Sequence, residues 1–154
     1  QRAYEILTQM EQQSKESGDE NILPNSFTYN YAINCAANTL GSLEKKTPAF
    51  KVALHAFQSL RISPTDKPNS FTYAFFIKAC NSLLPLGDVR YKVVTQAFKE
   101  CCSAGMLSNE ILKWFKLGMP SEIGRELLLY PDNYQRLDIR ALPVEWSCNA
   151  NKRR

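Results

Sequence analysis

The sequence predicts an all-α fold, an α-solenoid of antiparallel helix-turn-helix repeats with a degenerate C-terminal cap, and three observations carry that prediction. The six residues Pro24-Asn25-Ser26-Phe27-Thr28-Tyr29 return unchanged as Pro68-Asn69-Ser70-Phe71-Thr72-Tyr73, a period of 44 residues on which Ile33 also recurs as Ile77. A period of that order marks stacked supersecondary units. The apolar residues after each copy keep helical spacing, and turn signals break both patterns at corresponding places.

Each PNS step reads as a helix start. Proline disfavours helix in the residue before it, and Asn or Ser can accept hydrogen bonds from the free N–H groups of a first turn. In the first unit, residues 24–67, Tyr29, Ala32, Ile33, Ala36, Ala37 and Leu40 form one stripe; in the second, residues 68–108, Tyr73, Phe76, Ile77, Cys80 and Leu84 do so. Gly41 with 44-EKKTP-48 ends the first helix and 85-PLGD-88 ends its counterpart. Thr47 is expected to cap the next helix with Pro48 at its first position, and Asp88 to cap the equivalent one. Those second helices carry Ala49, Phe50, Ala53, Leu54, Phe57 and Leu60 in one unit, and Val93, Val94, Ala97, Phe98 and Cys101 in the other. Gly105 stands where a left-handed helix terminus belongs.

Before the first copy, residues 1–23 supply the second helix of a preceding unit, over about Ala3 to Gln13, and a polar loop 14-SKESGDEN-21. The pattern opens inside a helix, so a fragment is expected, with any targeting segment upstream. After the second unit, Ile111, Leu112 and Phe115 suggest one capping helix, and Ser121 starts another with Ile123, Leu127 and Leu128, so that residues 109–129 cap the array. Residues 130–154 read as a tail: a turn at 130-YPDNY-134, then an extended basic stretch around Trp146 that ends in Lys152-Arg153-Arg154, where a frayed terminus is the simpler reading. A helix pair with one apolar stripe per helix must bury it on a neighbour, so stacking is obligatory.

Composition excludes several classes. At 44% hydrophobic and 22% charged residues the chain is not disordered, and no apolar run approaches the ~20 residues of a membrane span. Five cysteines without a CxxC pair, and a single histidine, His55, argue against zinc and fit reduced, buried thiols. No Gly-rich phosphate loop or carboxylate cluster is present, so no enzyme, metal or cofactor is expected. Net charge is +4, and the basic excess lies in residues 22–109, which suits either a polyanionic partner or an ordinary solvated surface.

The PNSFTYNYAI segment, followed by second helices reading AFKVALHAFQSL and AFKECCSAGM, resembles the pentatricopeptide repeat family over roughly residues 1–116. The period is longer than the family's usual one, and the last unit lacks a proline before Asn109. The added residues fall in turns, where extra length costs little. The resemblance implies single-stranded RNA binding at one base per unit, in organellar RNA processing, stability or translation, by a monomer in a mitochondrion or chloroplast. It implies base reading by Asn30 with Asn69 in the first unit and by Ala74 with Asn109 in the second. Family usage selects a pyrimidine for the Asn pair, and Ala74, lacking a hydrogen-bonding side chain, leaves the second unit indifferent. Without the resemblance, Asn30 is an ordinary exposed polar residue. Phe27 and Phe71 stand where the family flanks the base, and either stack on it or pack between units. Lys51, Lys78, Lys92 and Lys99 are candidate phosphate contacts or solubilising surface lysines. A protein-interaction scaffold is the alternative function.

Overall fold

The computed structural model describes residues 2–129 and 134–150, and it is all-helical, without a strand among the described residues. Seven α-helices follow in order: α1 (Arg2–Ser17), α2 (Ser26–Ala37), α3 (Leu43–Ile62), α4 (Ser70–Leu83), α5 (Asp88–Ser103), α6 (Asn109–Gly118) and α7 (Ser121–Leu128). No helix among the described residues is long and apolar enough to cross a membrane.

The duplicated hexapeptide builds the same start twice. Asn25 and Asn69 both sit in extended backbone, and each side-chain oxygen accepts from the amide of the threonine three residues on, Thr28 and Thr72. At α4 the Thr72 hydroxyl reaches back to within 3.0 Å of the Asn69 N–H, which donates to it and completes a reciprocal capping box. An unlike element supports the first start: Asp66, in the connection before α4, accepts from the Ser26 N–H at 2.7 Å and sets a carboxylate at the positive end of α2.

The helices pack in a consistent pattern. The first helices α2, α4 and α6 lie side by side, while α3 packs on α2 and α4, and α5 on α4 and α6. Aromatic rings fill the junctions: Phe57 of α3 stacks on Phe76 of α4 at 4.0 Å between centroids, and Phe98 of α5 on Phe115 of α6 at 3.9 Å. Each such buried ring contributes about 1.5–3 kcal/mol of transfer free energy. The α1 helix joins through a polar bridge, in which the Glu11 carboxylate accepts from Tyr29 Oη at 3.2 Å and meets His55 Nε2 at 2.9 Å.

Several boundaries differ from expectation. The α1 helix runs on to Ser17, so half of the expected polar loop is helical; Ser14 is buried, its hydroxyl bonded to the Asp19 carbonyl at 2.9 Å. Helix α3 begins at Leu43 after Ser42, not at Thr47 and Pro48. Pro48 is its sixth residue and withholds an N–H from Glu44, a loss tolerated because that turn is exposed. Thr47, not a cap, donates its hydroxyl to the Leu43 carbonyl at 2.8 Å. Helix α5 is capped by Gly87 at φ 143°, a conformation open to glycine, and Asp88 is its first residue. Gly105 does adopt the left-handed terminus, at φ 69°.

The largest difference lies in the tail. Residues 144–150 are not extended: they turn through a short 3₁₀ segment and fold back on the end of α5. The Leu107 N–H donates to the Trp146 carbonyl at 2.7 Å, Asn149 N–H to the Gly105 carbonyl at 2.8 Å, and the Ser70 hydroxyl to the Ala150 carbonyl at 3.2 Å. The Trp146 ring meets Phe98 edge-on at 6.3 Å. A backbone that can pair with turn groups and partly bury an indole gains more by docking than by staying solvated. The expected turn over 130–133 and the Lys152-Arg153-Arg154 end lie outside the described residues.

Two predictions follow from this packing. Burial pushes the thiols of Cys80 and Cys102 up to about 12 and raises that of Cys101 as well, whereas Cys35 and Cys148 are exposed. A thiol-alkylating reagent at pH 8 is expected to label Cys35 and Cys148 in the folded chain and the other three only after unfolding, as read by mass spectrometry. Gly124 abuts the buried Tyr134 phenol so closely that an added methyl would occupy the ring's place. Gly124→Ala should cost about 1–3 kcal/mol in urea denaturation, and a smaller residue at position 134 should recover part of it.

Candidate nucleic-acid interface

The face carried by the first helices holds a pocket of about 410 Å³ between α2 and α4. Four aromatic rings shape it: Phe27 and Tyr31 from α2, Phe71 and Phe75 from α4. Phe27 is 77% exposed and Phe71 66%, so neither packs between helices as core. Phe71 and Phe75 lie 6.2 Å apart and tilted, a paired wall on the α4 side. Exposing this much apolar ring surface at one place marks a surface built to be covered.

Asn30 and Asn69, the pair to which the resemblance assigns base reading, both line this pocket, and they touch: Asn30 Nδ2 donates to Asn69 Oδ1 at 3.2 Å. The orientation of both amides follows from the helix cap. Asn69 must turn its oxygen to the Thr72 N–H, 3.1 Å away, to cap α4. Asn30 must then present its NH₂ group to that oxygen, since two facing carbonyl oxygens would repel. Asn30 Oδ1 is consequently left as an acceptor with no hydrogen-bond partner among the described residues, on a residue only 7% exposed. A buried acceptor without a donor costs about 1–3 kcal/mol, so its retention calls for a compensating role.

The second unit is built differently. Ala74 is 3% exposed and packs as core, so it offers nothing to a base edge. Asn109 is the exposed first residue of α6, while the cap is Ser108, whose hydroxyl accepts from the Ile111 N–H at 3.3 Å. Counted by helix starts, Ser108 and not Asn109 corresponds to Asn25 and Asn69. The tail also intervenes: Ser26 lines the open pocket, while its counterpart Ser70 is bonded to Ala150.

The candidate lysines separate by layer. Lys78 of α4 lies on the first-helix face, donating to Asn38 Oδ1 at 2.8 Å and Asn34 Oδ1 at 3.4 Å, and Asn34 itself lines the pocket. Lys51 lies on α3, and Lys92 and Lys99 on α5; none of the three lines the pocket. Lys92 borders a different groove, about 370 Å³, between α3 and α5, floored by Leu54, Phe57 and Val93 and crossed by an Arg61–Glu100 ion pair of 3.1 Å. Among the described residues no group of three His, Cys, Asp or Glu side chains could hold a metal ion.

Sequence reasoning did not single out Tyr31, Phe75 or Asn34. A signal for them was present, because Tyr31 and Phe75 stand six residues after the helix-starting Asn25 and Asn69. The amide pair yields a sharp stability contrast. Asn69→Ala removes a capping box and should cost about 1–2 kcal/mol, whereas Asn30→Leu removes an unpartnered buried acceptor and should be neutral or stabilising by up to about 1 kcal/mol. Chemical denaturation of the two variants would show it, and equal losses would mean that Asn30 is held by structure alone.

No family model, curated protein or solved structure matches this chain.

Proposed function

We propose that this chain is an RNA-binding α-solenoid of the pentatricopeptide repeat type and that it holds one base of a single-stranded RNA in the pocket between α2 and α4. The observation that carries the reading is the Asn30–Asn69 amide pair lining an aromatic-walled pocket, with Asn30 Oδ1 left without a hydrogen-bond partner among the described residues. A base that reaches Asn30 supplies what that acceptor lacks, since every nucleobase carries an N–H donor on its edge. The amide pair offers one acceptor and one donor, which suit a base edge bearing one of each, and the choice of a pyrimidine rests on the resemblance. Phe27 and Phe71 stand on either side for stacking, a sequence-tolerant source of affinity.

In this reading the face formed by α2, α4 and α6 is the RNA-facing side of the array, and Lys78 is the phosphate contact closest to the pocket. The second unit, with buried Ala74 and a docked tail, does not read a base through hydrogen bonds. The chain acts as a non-enzymatic, monomeric RNA binder in a mitochondrion or chloroplast, which rests on the resemblance alone. A protein-binding scaffold is the second reading, favoured by the apolar groove between α3 and α5. Recovery of a stoichiometric protein partner that survives nuclease treatment and is lost on Val93→Glu would support it.

Binding of short labelled oligoribonucleotides tests the RNA reading. Asn30→Ala is expected to change base preference at one position and weaken the preferred oligonucleotide by about 1–3 kcal/mol. Lys78→Ala should weaken all sequences alike and lower the salt slope by about one. Salt-insensitive or undetectable binding to every oligoribonucleotide would end the RNA proposal.

A further inference from the structure

Counting from the helix caps reveals a row that neither Asn30 nor Ala74 belongs to. Six residues after Asn25, Asn69 and Ser108 stand Tyr31, Phe75 and Trp114, one aromatic ring on each of the three adjacent first helices. The first two line the pocket already described. The third is beyond it, on α6, and has its own surroundings.

Trp114 is pinned at both ends. Its indole N–H donates to Glu110 Oε1 at 2.7 Å, and its carbonyl accepts from Asn81 Nδ2 at 2.7 Å. Two ammonium groups lie over its ring: Lys113 Nζ at 5.2 Å from the centroid and Lys78 Nζ at 5.8 Å. The Glu110 carboxylate is the acidic group in contact with this cluster, 3.9 Å from Lys113, so two cations meet one anion. Lys78 reaches the cluster from α4 while bonded to Asn38 and Asn34 of α2, which links it directly to the wall of the first pocket. Lys113 is well exposed, and its ion pair with Glu110 is a long one at 3.9 Å.

We propose that Trp114 with Lys78 and Lys113 forms a second nucleotide subsite, which takes a base by stacking on the indole and the adjoining phosphate on the two ammonium groups. A lysine over an indole occupies the place a base would take, through the same ring face. A base entering there displaces the exposed Lys113 ammonium, which then turns to the phosphate that arrives with the base. The fixed indole loses little freedom on binding, so the contact is preorganised. Stacking needs no particular base, so this subsite is indifferent to sequence where the Asn30–Asn69 pocket is selective. The inference rests on the RNA reading given above and extends the footprint past the second unit, where Ala74 supplies no hydrogen bond.

The chain has two tryptophans, so Trp146→Phe leaves Trp114 as sole reporter. In that variant, oligouridylate and oligoadenylate should both quench the tryptophan emission, in step with the anisotropy of a labelled oligonucleotide, and added salt should reverse both signals. In the otherwise unaltered chain, Trp114→Ala should weaken both oligonucleotides about tenfold, and Trp114→Phe should retain most of the binding. Circular dichroism of each variant separates lost contact from lost fold. An oligonucleotide that binds without changing Trp114 emission, or binds the folded Trp114→Ala variant as tightly as the parent, would overturn the subsite while leaving the Asn30–Asn69 pocket standing. Failure of the parent chain to bind either oligonucleotide would overturn both.

Discussion

One oxygen atom, Asn69 Oδ1, connects the start of α4, the position of α2 beside it and the chemistry of the pocket between them. It accepts from the Thr72 N–H and hydroxyl, and it also accepts from Asn30 across the helix junction. The first two bonds satisfy a helix end that would otherwise expose free donors. The third places Asn30 and leaves its Oδ1 without a partner among the described residues. Stability of the helix start and availability of a polar edge are thus set by the same atom.

Burial of the apolar stripes supplies the rest. Tyr29, Ile33, Tyr73, Phe76 and Ile77 are buried, and the stacked pairs Phe57–Phe76 and Phe98–Phe115 join the second helices to the first. With that face consumed by packing, the residues one step around α2 and α4 are forced outward, which is why Phe27, Tyr31 and Phe71 are exposed despite their apolarity. Polar groups follow the same geometry: Asn34, Asn38 and Lys78 form a hydrogen-bonded strip along the junction of α2 and α4.

The two copies of the hexapeptide diverge where other parts of the chain reach them. Ser26 borders an open pocket, whereas Ser70 holds the carbonyl of Ala150. Gly105 makes that docking possible: its left-handed backbone turns the chain after α5, and a side chain there would run into Cys148 and Asn149. Identical local sequences therefore share a helix start without sharing an environment.

The helices and their starts were legible in the sequence because capping and apolar periodicity are local: Asn25 and Asn69 cap as their type and spacing require, and Gly105 takes the positive φ expected of it. Pro48 shows where local rules stop, since an exposed turn tolerates a proline that sequence statistics would place at a helix start. The nearness of Asn30 to Asn69, 39 residues apart, followed from the resemblance and not from any local pattern. Only the tertiary structure decided which amide atom was left unpaired, that Phe27 and Phe71 face outward, that Ser108 replaces Asn109 at the α6 cap, and that the tail folds back as far as Ser70. Hydrogen bonding within a turn depends on neighbours along the chain. Exposure and the last free acceptor of a network depend on every group that packing brings near.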